Sequence, residues 1–142
     1  MIYNNYESFK NNARKELNDF PKFFAFNEKQ FEEGKKELNI KSDNELCKIW
    51  GGGFIRKTDR QDFINMIDRH DIELKESIKA DTEGDKFIYS MFLYEMNNHE
   101  YSYTYEVEDT LEALCLTWEE VQNNKSLLNG FKKAKNFVLY NE

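Results

Sequence analysis

The stretch that decides the fold class is LCKIWGGGFIRK, residues 46–57. Two short apolar runs, residues 46–50 and 54–57, are separated by three glycines at 51–53. Glycine adopts positive φ without steric cost, so a glycine run in this position is typical of a tight turn or bulge between paired strands. The stretch therefore predicts two strands joined by a turn.

Two further segments are predicted strands. Residues 22–26, KFFAF, form a continuous apolar run rich in β-forming residues, which indicates a buried strand. In residues 101–108, YSYTYEVE, aromatic or apolar residues alternate strictly with polar ones, which predicts a strand with one buried face. Tyr101, Tyr103 and Tyr105 would then lie in the core. Together the segments predict a small, largely antiparallel sheet of three or four strands.

About six helices are predicted to pack on this sheet, because apolar residues recur at three- and four-residue steps and capping-box patterns mark helix starts. The segment 81–96 is apolar almost all round, which indicates a helix in the centre of the domain. Three of the predicted helical segments are residues 5–20, 81–96 and 125–140. Two others begin at the caps Asn27 and Thr58, and the one that begins at Thr58 kinks or breaks near His70 and Asp71. Two short ones are a helix capped by Asp109 or Thr110 that ends at Cys115 and a helix that begins at the Thr117 cap. The predicted fold class is a single α+β domain over residues 1–142.

The composition predicts an acidic globular chain that binds neither nucleic acid nor membranes directly. The 142 residues carry a formal net charge of −7. A net anion binds nucleic-acid phosphates and anionic membrane surfaces poorly, and no apolar run approaches membrane-spanning length. The expected partner is a host protein or ribonucleoprotein with a basic surface. A homodimer is an alternative.

The cysteines and the N-terminus predict a cytoplasmic location. Cys47 and Cys115 lie far apart in apolar runs, which is typical of two buried free thiols rather than of a secreted disulfide framework. Residues 1–5, MIYNN, lack the charged and apolar regions of a signal peptide.

The glycine run suggests two kinds of binding site. Glycines at 51–53 followed by Arg56 and Lys57 would suit a phosphate group, and hence a sequestering protein for a nucleotide. The spacing fits neither a Walker loop nor a dinucleotide fingerprint, and a tight turn between strands is the favoured interpretation of the glycines. Trp50 and Phe54 flank the glycines and would form an exposed aromatic contact point.

Glu95, His99 and Glu100 are the candidates for catalysis or metal binding. Glu95 lies on an apolar helix face and His99 follows four residues later, so the two side chains would share a face if the helix continued. That arrangement suits metal ligation or acid–base chemistry, and a small metal-dependent enzyme is the alternative function. No third ligand lies nearby in the sequence, so structural hydrogen bonds to the following turn are the favoured interpretation. Neither a catalytic residue nor a cofactor is therefore predicted.

A second predicted binding surface is acidic. Its carboxylates would imitate phosphates in a basic groove of a partner. The predicted partner-binding residues are Trp50, Phe54 and Arg56 near the glycines, together with Glu100, Glu106, Glu108, Asp109, Glu119 and Glu120. His70, between Arg69 and Asp71, is predicted to be a solvated histidine in a turn.

Five pieces of the sequence, read in order, carry a resemblance to a protein family. The pieces are FFAFNEKQFEEG at 23–34, GGGFI at 51–55, YEMNNHEY at 94–101, DTLEAL at 109–114 and LTWEEV at 116–121. They resemble a family of uncharacterised small proteins from phages and integrating mobile elements of bacteria. Cys115 departs from the family pattern, which has a small residue such as glycine before the Leu-Thr pair.

The resemblance implies that the protein belongs to a phage or mobile element, and it does not by itself imply an activity. Small acidic proteins of mobile elements often bind a host protein and block it. The resemblance therefore implies a non-enzymatic inhibitor of bacterial immunity, such as an anti-CRISPR, in the cytoplasm of a bacterial host.

Overall fold

Eight α-helices and three short strands form within residues 1–140, the residues that the computed structural model describes. The helices are α1 (Tyr6–Asp19), α2 (Glu28–Glu37), α3 (Arg60–Ala80), α4 (Phe87–Asn98), α5 (Tyr101–Thr104), α6 (Glu108–Ala113), α7 (Trp118–Asn123) and α8 (Lys125–Tyr140). The strands are β1 (Phe23–Phe24), β2 (Leu46–Ile49) and β3 (Gly53–Arg56), and short 3-10 segments lie at Asp43–Glu45, Trp50–Gly52 and Lys57–Asp59. The predicted α+β class is confirmed.

The sheet is antiparallel, with β3 between β1 and β2. Phe23 lies opposite Phe54, and Cys47 lies opposite Ile55. Gly51 and Gly52 have φ values of 67° and 78°, in the left-handed region that glycine tolerates best. The predicted pair of strands and its glycine turn are confirmed.

The chain forms two compact units. One combines Met1–Ala13 with the chain from Asp71 onward, and the other is Arg14–His70. The prediction of a single domain over residues 1–142 stays a prediction.

Helix α4 is the centre of the first unit, as predicted. Five of its side chains, those of Phe87, Ile88, Met91, Phe92 and Met96, are completely buried. Side chains of α1, α6, α7 and α8 belong to the same apolar cluster. Within residues 1–140, no helix is long and apolar enough to cross a lipid bilayer.

The predicted start of α4 at Asp81 is wrong, because the helix begins at Phe87. Asp81 nevertheless caps this helix from a distance. Its buried carboxylate accepts hydrogen bonds from the backbone N–H groups of Gly84 (3.0 Å), Lys86 (3.0 Å) and Ile88 (2.9 Å). A loop therefore separates the capping residue from the helix, and the sequence pattern does not show this loop.

The second unit packs α2 and the first half of α3 with the sheet. One apolar cluster contains Phe23, Leu38 and Leu46, and another contains Ile55 and Phe63. The predicted start of α2 is confirmed, because the backbone N–H of the third helical residue, Gln30, donates to Asn27 Oδ1 at 2.8 Å.

Two predictions about α3 are wrong. Thr58 does not cap the helix but lies in the 3-10 segment before it, and α3 continues through His70 as one helix, so the predicted break is wrong. The segment Arg60–Ala80 contains neither proline nor glycine, the residues that most often end a helix. The boundary between the two compact units falls within α3, after His70. The side chain of His70 is mostly buried, with Nε2 3.6 Å from Glu16 Oε2, so the solvated turn histidine is also wrong.

The predicted tyrosine strand is wrong. Residues Tyr101–Thr104 form the single helical turn α5, flanked by Glu100 and Tyr105 in the left-handed region, with φ of 54° and 58°. Tyr101 is buried, whereas Tyr103 is 83% exposed and Tyr105 is also exposed. Alternation within one segment does not supply a partner strand, and the sheet in the described residues has only three strands.

Cys115 lies just beyond α6, in the left-handed region with φ of 55°. The N–H of Leu116 donates to Leu111 O at 2.9 Å and the N–H of Cys115 to Glu112 O at 3.1 Å, which is a Schellman motif with Cys115 at the position that glycine usually occupies. The expected burial of Cys115 is wrong, since the residue is exposed, and Cys47 is only half-buried. The glycine expected there from the family resemblance agrees with this backbone geometry.

Replacing Cys115 with glycine should stabilise the protein. We expect Cys115→Gly to raise the free energy of unfolding by about 1 kcal/mol, because a left-handed conformation costs an ordinary residue about 1–2 kcal/mol and the greater flexibility of glycine offsets part of the gain. Urea denaturation monitored by circular dichroism measures the change.

A matched control is Asn39, which follows α2 in the same motif with φ of 57°. Asparagine tolerates this conformation, so Asn39→Gly should change stability less than Cys115→Gly does. Equal effects of the two substitutions, or a loss of stability in Cys115→Gly, would contradict this account of the turn.

Candidate functional site

The turn between β2 and β3 brings a second segment of the chain beside it. Phe24 lies opposite Gly53 in the sheet, and the N–H of Ala25 donates to the carbonyl of Gly52 at 3.0 Å. The chain after β1 therefore runs along the glycine turn. This pairing places Phe24 and Phe26 next to the turn that carries Trp50.

Three aromatic side chains of this region are exposed, and we call them the aromatic turn surface. Phe26 is 76% exposed, Trp50 57% and Phe24 45%. A Cβ atom on Gly52 would lie 2.7 Å from the ring of Phe26, so only glycine at this position lets that ring lie against the backbone. Clustered exposed apolar side chains are typical of binding surfaces.

The sequence prediction for this region is confirmed in part. Trp50 is exposed as expected, and its ring contacts that of Phe63 at a centroid distance of 5.2 Å. Phe54 is not an exposed contact, because its half-buried ring stacks on Phe23 at 5.2 Å and meets the edge of Phe31 at 5.3 Å. The role of Phe54 in partner binding stays a prediction, but the exposure that suggested this role is not found.

Sequence reasoning missed Phe24 and Phe26. The run at 22–26 predicts a buried strand, but β1 is an edge strand with one covered face. Since neighbouring strand residues point to opposite faces, Phe23 is buried and Phe24 is exposed. The residues at 23–26 are all apolar, so the sequence pattern does not show which face is covered.

Arg56 does not converge with the glycines on a phosphate-sized site. Its Nε donates to Leu38 O at 3.1 Å, and its Nη1 forms an ion pair with Asp59 Oδ2 at 3.1 Å. Strand β3 separates the glycine turn from Arg56 by about 10 Å, at roughly 3.3 Å per residue. Lys57 lies beyond Arg56 in the next 3-10 segment. The turn between β2 and β3 therefore accounts for the glycine run without a bound phosphate.

Glu95 lies in the buried interior of the first unit. Its Oε2 accepts a hydrogen bond of 2.7 Å from the hydroxyl of Tyr6, and its Oε1 lies 3.5 Å from Asn98 Nδ2 and 3.7 Å from His99 Nε2. The predicted i, i+4 pair of Glu95 and His99 therefore exists. The carboxylate of Glu95 therefore accepts hydrogen bonds from Tyr6, at the beginning of α1, and from Asn98, the last residue of α4.

This cluster explains Glu95 structurally. Burial, and next the hydrogen bond to Glu95, raise the pKa of Tyr6 above its ordinary value of 10.0. No group of three or more His, Cys, Asp or Glu residues within residues 1–140 is arranged to hold a metal ion. Glu95 and His99 thus lack the third protein ligand that a zinc site requires.

All six carboxylates of the predicted acidic surface are exposed. Glu108 and Asp109 lie in the first turn of α6, and Glu119 and Glu120 lie in the first turn of α7, where the helix dipole stabilises negative charge. Glu120 also completes the predicted capping box, accepting from the backbone N–H of Thr117 at 3.1 Å. The two remaining members are Glu100 and Glu106. Local helix stability therefore accounts for four of the six.

Comparison with known proteins finds one family. The model of a family of unknown function (DUF7659) matches residues 5–136. No curated protein and no solved structure shows significant similarity to the chain.

Removing the hydroxyl of Tyr6 should destabilise the protein and change how stability depends on pH. Tyr6→Phe leaves the buried Glu95 without its closest donor, which should lower the free energy of unfolding near pH 7 by about 1–3 kcal/mol. Because the pKa of Tyr6 is raised in the folded state, its contribution is present below pH 10 and is lost as the pH rises above 10. Tyr6→Phe should therefore lose less stability than the unmodified protein over that rise.

Urea denaturation at about pH 7 and at several values above about pH 10 measures both effects. Tyr103→Phe is the control, because Tyr103 is exposed and should affect neither quantity. If the free energies of unfolding of Tyr6→Phe and of the unmodified protein fell equally with pH above 10, the pKa of Tyr6 would not be raised in the folded state, and the account would be contradicted.

Proposed function

The chain belongs to the family of unknown function DUF7659, and we propose that it is a non-enzymatic protein-binding protein that uses the aromatic turn surface. The observation that carries this proposal is the exposure of Phe24, Phe26 and Trp50 around one turn. Full burial of one such side chain is worth about 1.5–3 kcal/mol, and a partner that covered the exposed part of each ring would recover a corresponding fraction of it.

Two of these rings have a neighbour within the unit. Trp50 contacts Phe63, and Phe26 lies against Gly52. Such contacts restrict side-chain rotamers, which lowers the entropy cost of binding. Aromatic residues surrounded by polar ones are typical of the few positions that supply most of the free energy of an interface.

The charge of the chain favours a basic partner. The net charge of −7 would steer the chain toward a positively charged protein or ribonucleoprotein. We propose that the exposed carboxylates contribute to this long-range attraction while the rings supply the contact. An inhibitory role against bacterial immunity, within a bacterial cytoplasm, is the form of this proposal that the resemblance to mobile-element proteins favours.

The binding proposal explains more of the molecule than an enzymatic one does. Glu95 is satisfied by Tyr6 in the interior, and Arg56 by Asp59 within its own unit. Glu95 was offered for chemistry together with His99 and Glu100, and Arg56 for phosphate binding together with Lys57. The exposed rings have no such internal explanation.

Substitution of one exposed ring should remove the partner. Tagged protein is used to capture partners from a lysate of the source cells at low and at moderate salt, with quantitative mass spectrometry as the readout. We expect Phe26→Ser to reduce the stoichiometric partner at least tenfold, because Phe26 is the most exposed ring of the surface and contacts mainly the turn.

The matched variant is Tyr103→Ser, which removes a ring that is 83% exposed from the other unit. Tyr103 lies within residues 100–109, which carry four of the predicted acidic-surface carboxylates and are called the acidic segment here. The proposal predicts that Tyr103→Ser keeps the partner. Loss of the partner in Tyr103→Ser but not in Phe26→Ser would place binding on the acidic segment instead. Recovery of no stoichiometric partner at either salt would contradict the proposal as a whole.

A further inference from the structure

A cleft of about 350 Å³ lies in the second unit, between β2 and α3. Its lining comes from β2, β3 and the first half of α3, and it includes Ile49, Ile55, Phe63, Ile67, Arg60 and Asp68. Most of these side chains are apolar. The cleft shares Trp50 with the aromatic turn surface.

The cleft lies over the face of the sheet that carries Cys47, Ile49 and Ile55, between that face and α3. Successive strand side chains point to opposite faces, so Lys48 meets the cleft from the backbone of β2, which is an edge strand. Within residues 1–140, β2 pairs only with β3, so its other edge carries unpaired backbone N–H and C=O groups.

We infer that this cleft binds an extended segment of a partner protein, which adds to the sheet beside β2. The inference deepens the proposed function and rests on it for the premise that this unit binds protein. A small apolar molecule in the cleft would remove water from the polar strand edge without replacing its hydrogen bonds, whereas a peptide backbone replaces them.

The dimensions set the length of the segment. Strand β2 has four residues, about 13 Å at roughly 3.3 Å per residue, and the eight-residue step along α3 from Arg60 to Asp68 spans about 12 Å. The cleft therefore matches three or four residues of extended chain. Alternate side chains of that segment would enter the apolar space between Ile55 and Ile67.

The charges around the cleft specify the segment further. Arg60 is exposed and forms no ion pair among the described residues, whereas Asp68 is the single carboxylate that lines the cleft. Lys48 also forms no ion pair there, but its side chain belongs to the opposite face, which carries Glu28 and Asp43. The unpaired guanidinium of Arg60 therefore favours an acidic residue in the partner segment. The expected occupant has apolar residues at alternate positions and an acidic residue that pairs with Arg60.

A library of random 12-residue linear peptides displayed on phage tests the inference without knowledge of the natural partner. Enriched peptides are synthesised with blocked ends, and their affinities are measured by fluorescence polarisation. We expect alternating apolar residues with a neighbouring Asp or Glu. N-methylation of alternate peptide backbone nitrogens should weaken binding at least tenfold, while methylation of the intervening ones should not, because only alternate N–H groups face β2.

Three protein variants locate the binding. Ile67→Lys should weaken binding at least tenfold, whereas Ile72→Lys, in the exposed part of the same helix, should leave it unchanged. Arg60→Glu, at an exposed residue whose replacement does not disturb the core, should reverse the preference for acidic peptides. Slower hydrogen exchange of the β2 amides in the presence of a peptide would support the added strand.

Three results would overturn the inference. They are no enrichment of peptides, equal binding to Ile67→Lys and the unmodified protein, and tolerance of N-methylation at every position, which would indicate docking through side chains alone. The peptide library needs no natural partner, so its failure is separate from failure of the capture experiment with Phe26→Ser. Peptides that bind the cleft while no Phe26-dependent partner exists would contradict only the proposed function.

Discussion

The structure of the first unit depends on the need to cover α4 on every side. A helix that is apolar around its circumference is stable only if neighbouring elements exclude water from all of it. The clustering of α1, α6, α7 and α8 residues around Phe87, Ile88, Met91 and Phe92 meets this need. The same coverage buries Glu95, and the hydroxyl of Tyr6 then satisfies its carboxylate. A polar cluster that resembles a catalytic pair is therefore a consequence of packing.

The second unit differs because its sheet is too small to cover its own side chains. Strand β1 has two residues and β2 has four, and each lies at an edge. An edge strand with one covered face leaves alternate side chains in water, which is why Phe24 is exposed beside the buried Phe23. The exposed rings and the free edge of β2 both favour binding of another chain.

Sequence reasoning succeeded where the controlling interactions are local. The cap at Asn27, the capping box at Thr117 and the glycine turn depend on residues within a few positions of one another, and all three were predicted. It failed where a distant partner decides. The tyrosine segment alternates as a strand does but has no strand to pair with, and Asp81 caps α4 only because a loop returns it to the helix. For the candidate site, Trp50 was predicted, but Phe26 required knowledge of what lies beside Gly52.

The carboxylates of the chain have a structural role that its composition does not reveal. Composition alone made the carboxylates the natural binding surface for a basic partner. Four of the six predicted carboxylates lie in the first turns of α6 and α7, where helix stability accounts for them. Net charge acts over long distances and is screened by salt, so it directs encounter more than it fixes a contact. The exposed faces of the rings at the glycine turn have no comparable role in helix stability, and for that reason we propose that the rings make the contact.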